Sequence, residues 1–116
     1  MAIWLTGGPG CSGEIALVWE NGPYKLDNDM TLTRNRYSWN NFANLVYVDQ
    51  PKGTGYSTTS GPKDHVHTEE EVAADFYSFL TGFLDKYPEF KNRKILLMGE
   101  SYAGHYIPAI AAYIVK

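Results

Sequence analysis

The chain has 116 residues, of which 44% are hydrophobic and 15% aromatic, and its formal net charge at pH 7 is −3. That composition is typical of one small globular domain and argues against a disordered chain. The densest basic stretch, KNRK at Lys91–Lys94, is too short to favour nucleic acid or an anionic membrane as a partner. The longest apolar stretch, Ile107–Val115, is interrupted by Pro108 and falls far short of the ~20 residues that span a bilayer. The opening MAIWLTGG lacks the basic segment of a signal peptide, so we expect none in this chain.

The first half of the chain contains two predicted strands. Apolar runs closed by turn residues predict strands over Ala2–Leu5 and Asn44–Asp49. Between them we predict a short helix over Gly13–Trp19, for which Ser12 is a possible cap, and a polar loop over Pro23–Asn41.

The second half of the chain predicts a crossover helix, a third strand and a further helix. Apolar residues recur at three- and four-residue spacing over Glu69–Lys86, with a capping box formed by Thr68 and Glu71. A third strand is predicted over Lys94–Gly99, and a helix kinked at Pro108 follows Ser101. None of the three strands alternates polar and apolar residues, which is typical of strands covered by helices on both faces. The order strand, helix, strand predicts an α/β fold with a parallel sheet.

The stretch GESYAG presents Ser101 between the third strand and the following helix. It meets the G-x-S-x-G pattern of α/β-hydrolases, with the small Ala103 in place of the second glycine. In that pattern the serine is a nucleophile on a sharp strand-to-helix turn, where small neighbours allow the two backbones to approach closely. The alternative interpretation is a polar residue in an ordinary turn, and the placement of Ser101 favours the nucleophile.

A second turn, WLTGGPGC at Trp4–Cys11, also follows a predicted strand directly. Glycines allow a backbone to approach a substrate closely, and a tetrahedral intermediate needs backbone N–H donors that converge on its oxyanion. By itself the stretch could equally be a plain Gly-Pro turn.

Four stretches together carry a resemblance to a known family. WLTGGPGCSG, ENGP, YSWNNFANLVYVDQPKGTGYS and GESYAGHYIP occur in the order found in serine carboxypeptidases, and the resemblance extends from Trp4 to Val115. It implies an incomplete α/β-hydrolase domain over residues 1–116, truncated at both ends. The implied activity is release of C-terminal residues from peptides or proteins through an acyl-enzyme, without a cofactor or metal.

The resemblance also implies which residues act. Ser101 is the implied nucleophile, and the N–H groups of Gly8 and Tyr102 are the implied oxyanion donors. The positions that match the family's site for the substrate's C-terminal carboxylate and side chain are Thr6, Gly7, Glu20, Glu100, Ile15 and Trp19. Thr6 stands where most members have Asn, so carboxylate recognition is expected to be weaker or altered.

Three of these residues have open alternatives, since Glu20 could be an exposed helix-end residue and Ile15 and Trp19 could belong to the core. Glu20, Glu100 and the substrate carboxylate would be three like charges at close range and cannot all be ionised. At least one of the glutamates must therefore carry a proton. We therefore expect a preference for acidic pH.

Cys11 is the single cysteine of the chain and cannot form an internal disulfide. Composition leaves two interpretations, a buried thiol or half of a bridge to a cysteine outside the chain. The resemblance implies the bridge, and with it a parent protein of the secretory pathway, either vacuolar, lysosomal or extracellular.

A nucleophilic serine needs a base and an orienting carboxylate, which in this architecture follow it in the order Asp, then His. The residues after Ser101 contain no aspartate. His65 and His67 precede the serine. His105 lies one helical turn beyond Ser101, but the helix is expected to direct its side chain away from the turn, so we expect a structural role for it. We therefore expect the isolated chain to be nearly inactive and to need the C-terminal portion of the same enzyme. We also expect unpaired strand edges that favour aggregation.

Two other functions remain open on the sequence. An acyltransferase of the same superfamily would use an alcohol in place of water, although GE before Ser101 resembles the peptidases more closely. A non-catalytic truncated binding module is the third hypothesis.

Overall fold

The apolar run at the N-terminus forms the central strand of the structure, a computed structural model that describes residues 1–116. In chain order the elements are β1 Ala2–Leu5, a π-helical turn Ala16–Glu20, β2 Tyr24–Leu26, β3 Leu32–Arg34, β4 Leu45–Tyr47, α1 Glu69–Lys86, β5 Leu96–Gly99 and α2 Ala103–Ile114. Short 3₁₀ turns lie at Trp39–Asn41, Pro62–Asp64 and Pro88–Phe90.

The three predicted strands form one parallel sheet in the order β4-β1-β5. Ala2 lies opposite Leu45 on one side and Leu96 on the other. The predicted strands Asn44–Asp49 and Lys94–Gly99 were too long at their ends. Each strand extends only where β1, with four residues, offers backbone partners. The α/β class and the parallel sheet are confirmed.

Helix α1 begins and ends where the sequence predicts. Thr68 accepts a hydrogen bond from the Glu71 amide, and the Glu71 side chain accepts one from the Thr68 amide, which completes the predicted capping box. The buried face of α1 packs with α2 on β1 in one cluster made of Ile3, Leu5, Val72, Ala73, Phe76, Leu80, Ala103, Tyr106 and Ile110.

Both helices pack on the same face of the sheet, so the prediction of helices on both faces was wrong. Ile3 and Leu5 point toward the helices. Trp4, on the opposite face, packs edge-on against Trp39 with the ring centroids 5.2 Å apart. Strand β1 is thus buried on both faces, but one of them is covered by the segment between β3 and β4.

The segment Pro23–Asn41 is more ordered than the predicted loop. It contains the antiparallel strands β2 and β3, which are joined in register from Tyr24 opposite Arg34 to Leu26 opposite Leu32. The strands have three residues each and are largely exposed, so they leave no apolar pattern in the sequence.

The predicted helix at Gly13–Trp19 is also displaced. Helical structure begins at Glu14 and continues as a π-helical turn, in which the amides of Asn21 and Gly22 both donate to the carbonyl of Ala16. Ser12 does act near its start, because its hydroxyl accepts from the Glu14 amide at 3.2 Å. A Cβ at Gly22 would overlap the backbone of Leu17, which explains the glycine in ENGP.

No helix of the structure combines the length and the apolar character that crossing a bilayer would require.

Gly99 allows β5 to pass directly into α2. A Cβ at this position would overlap the Leu5 carbonyl and lie 2.6 Å from the Ala103 Cβ. We expect Gly99→Ala to lower the free energy of unfolding by about 2 kcal/mol, as overpacked cores do. Gly82→Ala is the control, because its Cβ meets nothing within 4 Å and should stabilise α1. Equal urea denaturation midpoints for the two variants would contradict this account of the close contact.

Candidate active site

Ser101 lies on the turn between β5 and α2, with its side chain exposed. Its φ of 53° falls in the left-handed region, which is uncommon for a residue other than glycine and is found at active sites. The turn is held by the Ala103 amide, which donates to the Glu100 carbonyl at 2.9 Å. The Ser101 hydroxyl makes no hydrogen bond within the chain.

We call Thr6–Cys11, which contains Gly7 and Gly8 and follows β1, the diglycine turn. It lies against the turn that carries Ser101. A Cβ at Gly7 would come 2.6 Å from the Tyr102 amide nitrogen and 2.7 Å from the Ser101 Cβ. Gly8, with φ of 113°, adopts backbone geometry that side chains rarely allow. The two stretches that the sequence analysis paired are therefore neighbours in space, on the carboxyl edge of adjacent strands.

The amides of Gly8 and Tyr102 donate no hydrogen bond to any acceptor of the chain. Tyr102 is the residue before α2, so its N–H is one of the amides that a helix N-terminus leaves free. Two unpaired N–H groups beside an exposed serine can hold an anionic oxygen.

The hydroxyls of two tyrosines in the α2 region hold this arrangement in place, and neither role was predicted from the sequence. The Tyr106 hydroxyl accepts a hydrogen bond from the Gly10 amide at 3.2 Å, which ties the diglycine turn to α2. The Tyr102 hydroxyl donates to Glu69 at 2.8 Å, at the start of α1. Their four-residue spacing indicates only a shared helix face, because the partners of both hydroxyls are distant in sequence.

Asp49 is a second anchor that the sequence analysis did not identify. Its carboxylate accepts from the Ser12 hydroxyl at 2.7 Å, the Gly13 amide at 2.6 Å and the Tyr56 amide at 2.8 Å. Burial alone would raise the pKa of Asp49, but the hydrogen bonds from Tyr56, Ser12 and Gly13 outweigh it and lower that pKa. The carboxylate thereby joins Ser12 and Gly13, just after the diglycine turn, to the loop that follows β4.

Glu20 and Glu100 come together, although they are 80 positions apart in the sequence. Burial raises the pKa of Glu20 first, and the charge of Glu100 and a hydrogen bond with it raise that pKa further. A hydrogen bond between two carboxyl groups requires a proton on one of them. Thr6 is buried nearby at the end of β1, and its hydroxyl has no partner in the chain.

The other predicted residues fall at the edges of this site. Trp19 is 59% exposed, so the alternative of a core role is wrong for it, whereas Ile15 is half-buried. Cys11 is a half-buried free thiol within the diglycine turn.

The histidines do not form a site with Ser101. His65 lies against Gly53, and the His67 amide donates to Glu71. His105 is exposed, and its ring packs against that of Tyr102 with centroids 4.8 Å apart. No group of three or more His, Cys, Asp or Glu side chains is arranged to hold a metal ion.

The raised pKa of Glu20 predicts how stability depends on pH. The folded chain binds this proton more tightly than the unfolded chain, so the stabilisation is complete below the ordinary value of 4.5 and is lost as pH rises through the raised pKa. The lowered pKa of Asp49 has the opposite effect on stability, because its stabilisation is present above the ordinary value of 3.8 and is lost as pH falls through the lowered pKa. We expect Glu20→Gln to remove the decline above 4.5, measured by urea unfolding at several pH values. The exposed Glu89→Gln is the control, and parallel pH profiles for Glu20→Gln and the unmodified chain would refute the coupling.

The role of Asp49 predicts a change in amide exchange. Asp49→Ala removes an acceptor shared by Gly13 and Tyr56, so we expect both amides to exchange with deuterium about tenfold faster or more. The Thr31 amide, which is bonded to Asp29, provides an internal reference that should not change. Unaltered protection at Gly13 and Tyr56, measured by NMR, would mean that the carboxylate is not their anchor.

Known proteins resemble this chain along its whole length. The sequence model of the serine carboxypeptidase family matches residues 1–116. Serine carboxypeptidase 3 of Oryza sativa subsp. japonica is 50% identical over 114 residues, which are 98% of this chain and 23% of the rice protein. Serine carboxypeptidase S10 family member 1 of Dictyostelium discoideum is 47% identical over 98% of this chain and 27% of its own length.

A solved structure extends the likeness to three dimensions. The crystal structure of Kex1(delta)p, a prohormone-processing carboxypeptidase from Saccharomyces cerevisiae, superposes with a TM-score of 0.92 at 39% identity. The match covers 98% of this chain and 25% of the yeast chain, so the chain spans about a quarter of the length of the proteins it matches. On the family match over all its residues, the chain belongs to the serine carboxypeptidases and carries part of their α/β-hydrolase fold.

Proposed function

We propose that residues 1–116 supply the nucleophile, the oxyanion donors and the carboxylate-binding groups of a serine carboxypeptidase. The observation that carries the proposal is the exposed Ser101 hydroxyl beside the unpaired amides of Gly8 and Tyr102. In this proposal the turn of Ser101 is the nucleophile elbow of the fold.

The reaction proceeds through an acyl-enzyme. The Ser101 oxygen attacks the carbonyl carbon of the last peptide bond while a base takes its proton, and the carbonyl oxygen becomes an oxyanion held by the two amides. Collapse of this intermediate breaks the peptide bond, and the base returns the proton to the departing amine. Water then attacks the acyl-enzyme, releases the shortened peptide and restores the hydroxyl of Ser101.

The base and its orienting carboxylate come from outside these 116 residues in this proposal. None of the three histidines is hydrogen-bonded to the Ser101 hydroxyl, and the relatives are about four times as long as this chain. Residues 1–116 are thus part of a larger hydrolase domain. Alone they would retain only the small residual rate of oxyanion stabilisation and binding.

Recognition of a free C-terminus follows from Glu20, Glu100, Thr6 and the backbone of Gly7. A glutamate that keeps its proton donates to the substrate carboxylate, whereas an ionised one repels it. The raised pKa of Glu20 supports this arrangement, and it supports a preference for acidic pH. Ile15 and Trp19 would line the pocket of the C-terminal side chain and favour bulky apolar residues there.

Cys11 would pair with a cysteine outside this chain in the full protein, which places the protein in the secretory pathway, in a vacuole or lysosome, or outside the cell. Strands β4 and β5 each pair on one side only in this structure, so the isolated chain would be prone to edge-to-edge association.

Labelling with a fluorophosphonate tests the proposal, because the probe reacts only with an activated serine hydroxyl. We expect strong labelling of a polypeptide in which these residues are continued by the downstream coding sequence, and a large loss with Ser101→Ala. Ser78→Ala, at an exposed serine of α1, is the matched control and should label normally. The 116-residue chain alone should label poorly.

Two results would contradict the proposal. The first is labelling of the extended polypeptide that survives Ser101→Ala. The second is no labelling at all of an extended polypeptide that is folded and contains the downstream aspartate and histidine.

A further inference from the structure

Behind Glu20 lies a group of buried polar side chains that the proposed function does not use. We name Asn21, Asn35, Ser38 and Tyr47 the asparagine cluster. The first three are only 7%, 6% and 4% exposed. Buried polar groups are costly unless they are hydrogen-bonded, so the bonds of this cluster strongly constrain the groups that they join.

The cluster holds the backbone that directly follows the Glu20 side chain. The side-chain nitrogen of Asn35, Nδ2, donates to the backbone carbonyl of Glu20 at 3.2 Å and to that of Gly22 at 2.9 Å. The carbonyl of Asn21 accepts from the Ser38 hydroxyl at 3.2 Å and from the Trp39 amide at 3.0 Å. Three consecutive backbone carbonyls, from Glu20 to Gly22, therefore accept hydrogen bonds from residues that follow β3.

Tyr47 completes the cluster from the sheet. Its hydroxyl donates to the side-chain oxygen of Asn21 at 2.9 Å. Tyr47 lies opposite Trp4 in the register of β4 and β1, two residues before the buried Thr6. The hydroxyl thus links the residue after Glu20 to β4, the strand that pairs with β1 just before Thr6.

Tyr47 also lies within the electrostatic range of Glu20. Burial and then the charge of Glu20 raise the pKa of Tyr47 to about 12. Its hydroxyl therefore keeps its proton, and remains a donor to Asn21, at every pH at which an enzyme of this kind would act.

An amide side chain is planar, so fixing its oxygen also fixes its nitrogen. The hydrogen bond from Tyr47 sets the direction of the Asn21 amide, whose nitrogen is buried and has no acceptor in the chain. A buried donor without an acceptor is uncommon in proteins, and this one belongs to the residue next to Glu20.

We propose that Tyr47 is a positioning residue for recognition of the substrate's C-terminal carboxylate, acting through Asn21 on Glu20. The inference rests on the proposed function and adds two residues, Tyr47 and Asn21, to the groups implied by the family resemblance. It assigns them a role in orienting the glutamate and none in the attack on the peptide carbonyl.

Two substrates separate carboxylate recognition from the chemical steps. The first is an N-acylated dipeptide with a free C-terminus, and the second is an N-acylated amino-acid ethyl ester with the same acyl part. The ester's leaving alcohol carries no carboxylate, yet its hydrolysis uses the same serine and oxyanion donors. The measurement is kcat/KM on both substrates for the extended, labelled polypeptide and for its Tyr47→Phe variant.

We expect Tyr47→Phe to lower kcat/KM for the free acid about fivefold to tenfold, mainly through KM, as the loss of one hydrogen bond does. Hydrolysis of the ethyl ester should stay within about twofold of the unmodified enzyme. Tyr37→Phe is the matched control, because Tyr37 is 88% exposed and its hydroxyl has no partner. Ser38→Ala is a second variant that weakens the same cluster and should act in the same direction.

An equal loss on both substrates, or no loss on either, would overturn the inference, since it would indicate a general structural role or none. If thermal denaturation shows that the Tyr47→Phe variant is not folded, the ratio of kcat/KM for the free acid to kcat/KM for the ester, measured with Ser38→Ala, decides in its place. An unmodified enzyme that shows no preference for the free acid would instead refute carboxylate recognition itself, which is part of the proposed function.

Discussion

The close approach of two strand-to-turn junctions is the constraint on which the site depends. Strand β1 ends in the diglycine turn and β5 ends in the Ser101 turn, and the two turns touch because Gly7 and Gly99 have no side chains. A Cβ at Gly7 would occupy the space beside the Tyr102 amide, and one at Gly99 would collide with β1. This contact brings the diglycine turn, with the unpaired Gly8 amide, next to the turn that carries Ser101 and the unpaired Tyr102 amide.

The rest of the structure holds that contact from three sides. Helix α2 holds it through the Tyr106 hydroxyl and the Gly10 amide, and α1 holds Tyr102 through Glu69. The loop after β4 holds the start of the next helical turn through Asp49. Each tie joins the site to a different element, so the packing of the core and the geometry of the turns depend on each other.

The sequence predicts those parts of the molecule in which local pattern and global packing agree. The bounds of α1 follow from its apolar spacing and capping box, and Ser101 is revealed by the glycine and alanine around it. The hairpin of β2 and β3 could not be predicted, because its strands are short, exposed and without alternation. Asp49 and the asparagine cluster were missed for a different reason. Their partners are distant in sequence, so only the folded chain shows what they bind.

The central claim is that the Gly8 and Tyr102 amides receive the oxyanion formed at Ser101. A crystal structure of the extended polypeptide after inactivation by a phosphonate tests it most directly, because the phosphonyl oxygen mimics that oxyanion. The account predicts this oxygen at about 2.7–3.1 Å from both amide nitrogens, with phosphorus bonded to the Ser101 oxygen. An adduct on Ser101 whose oxygen points to solvent, with neither amide within hydrogen-bonding distance, would contradict it.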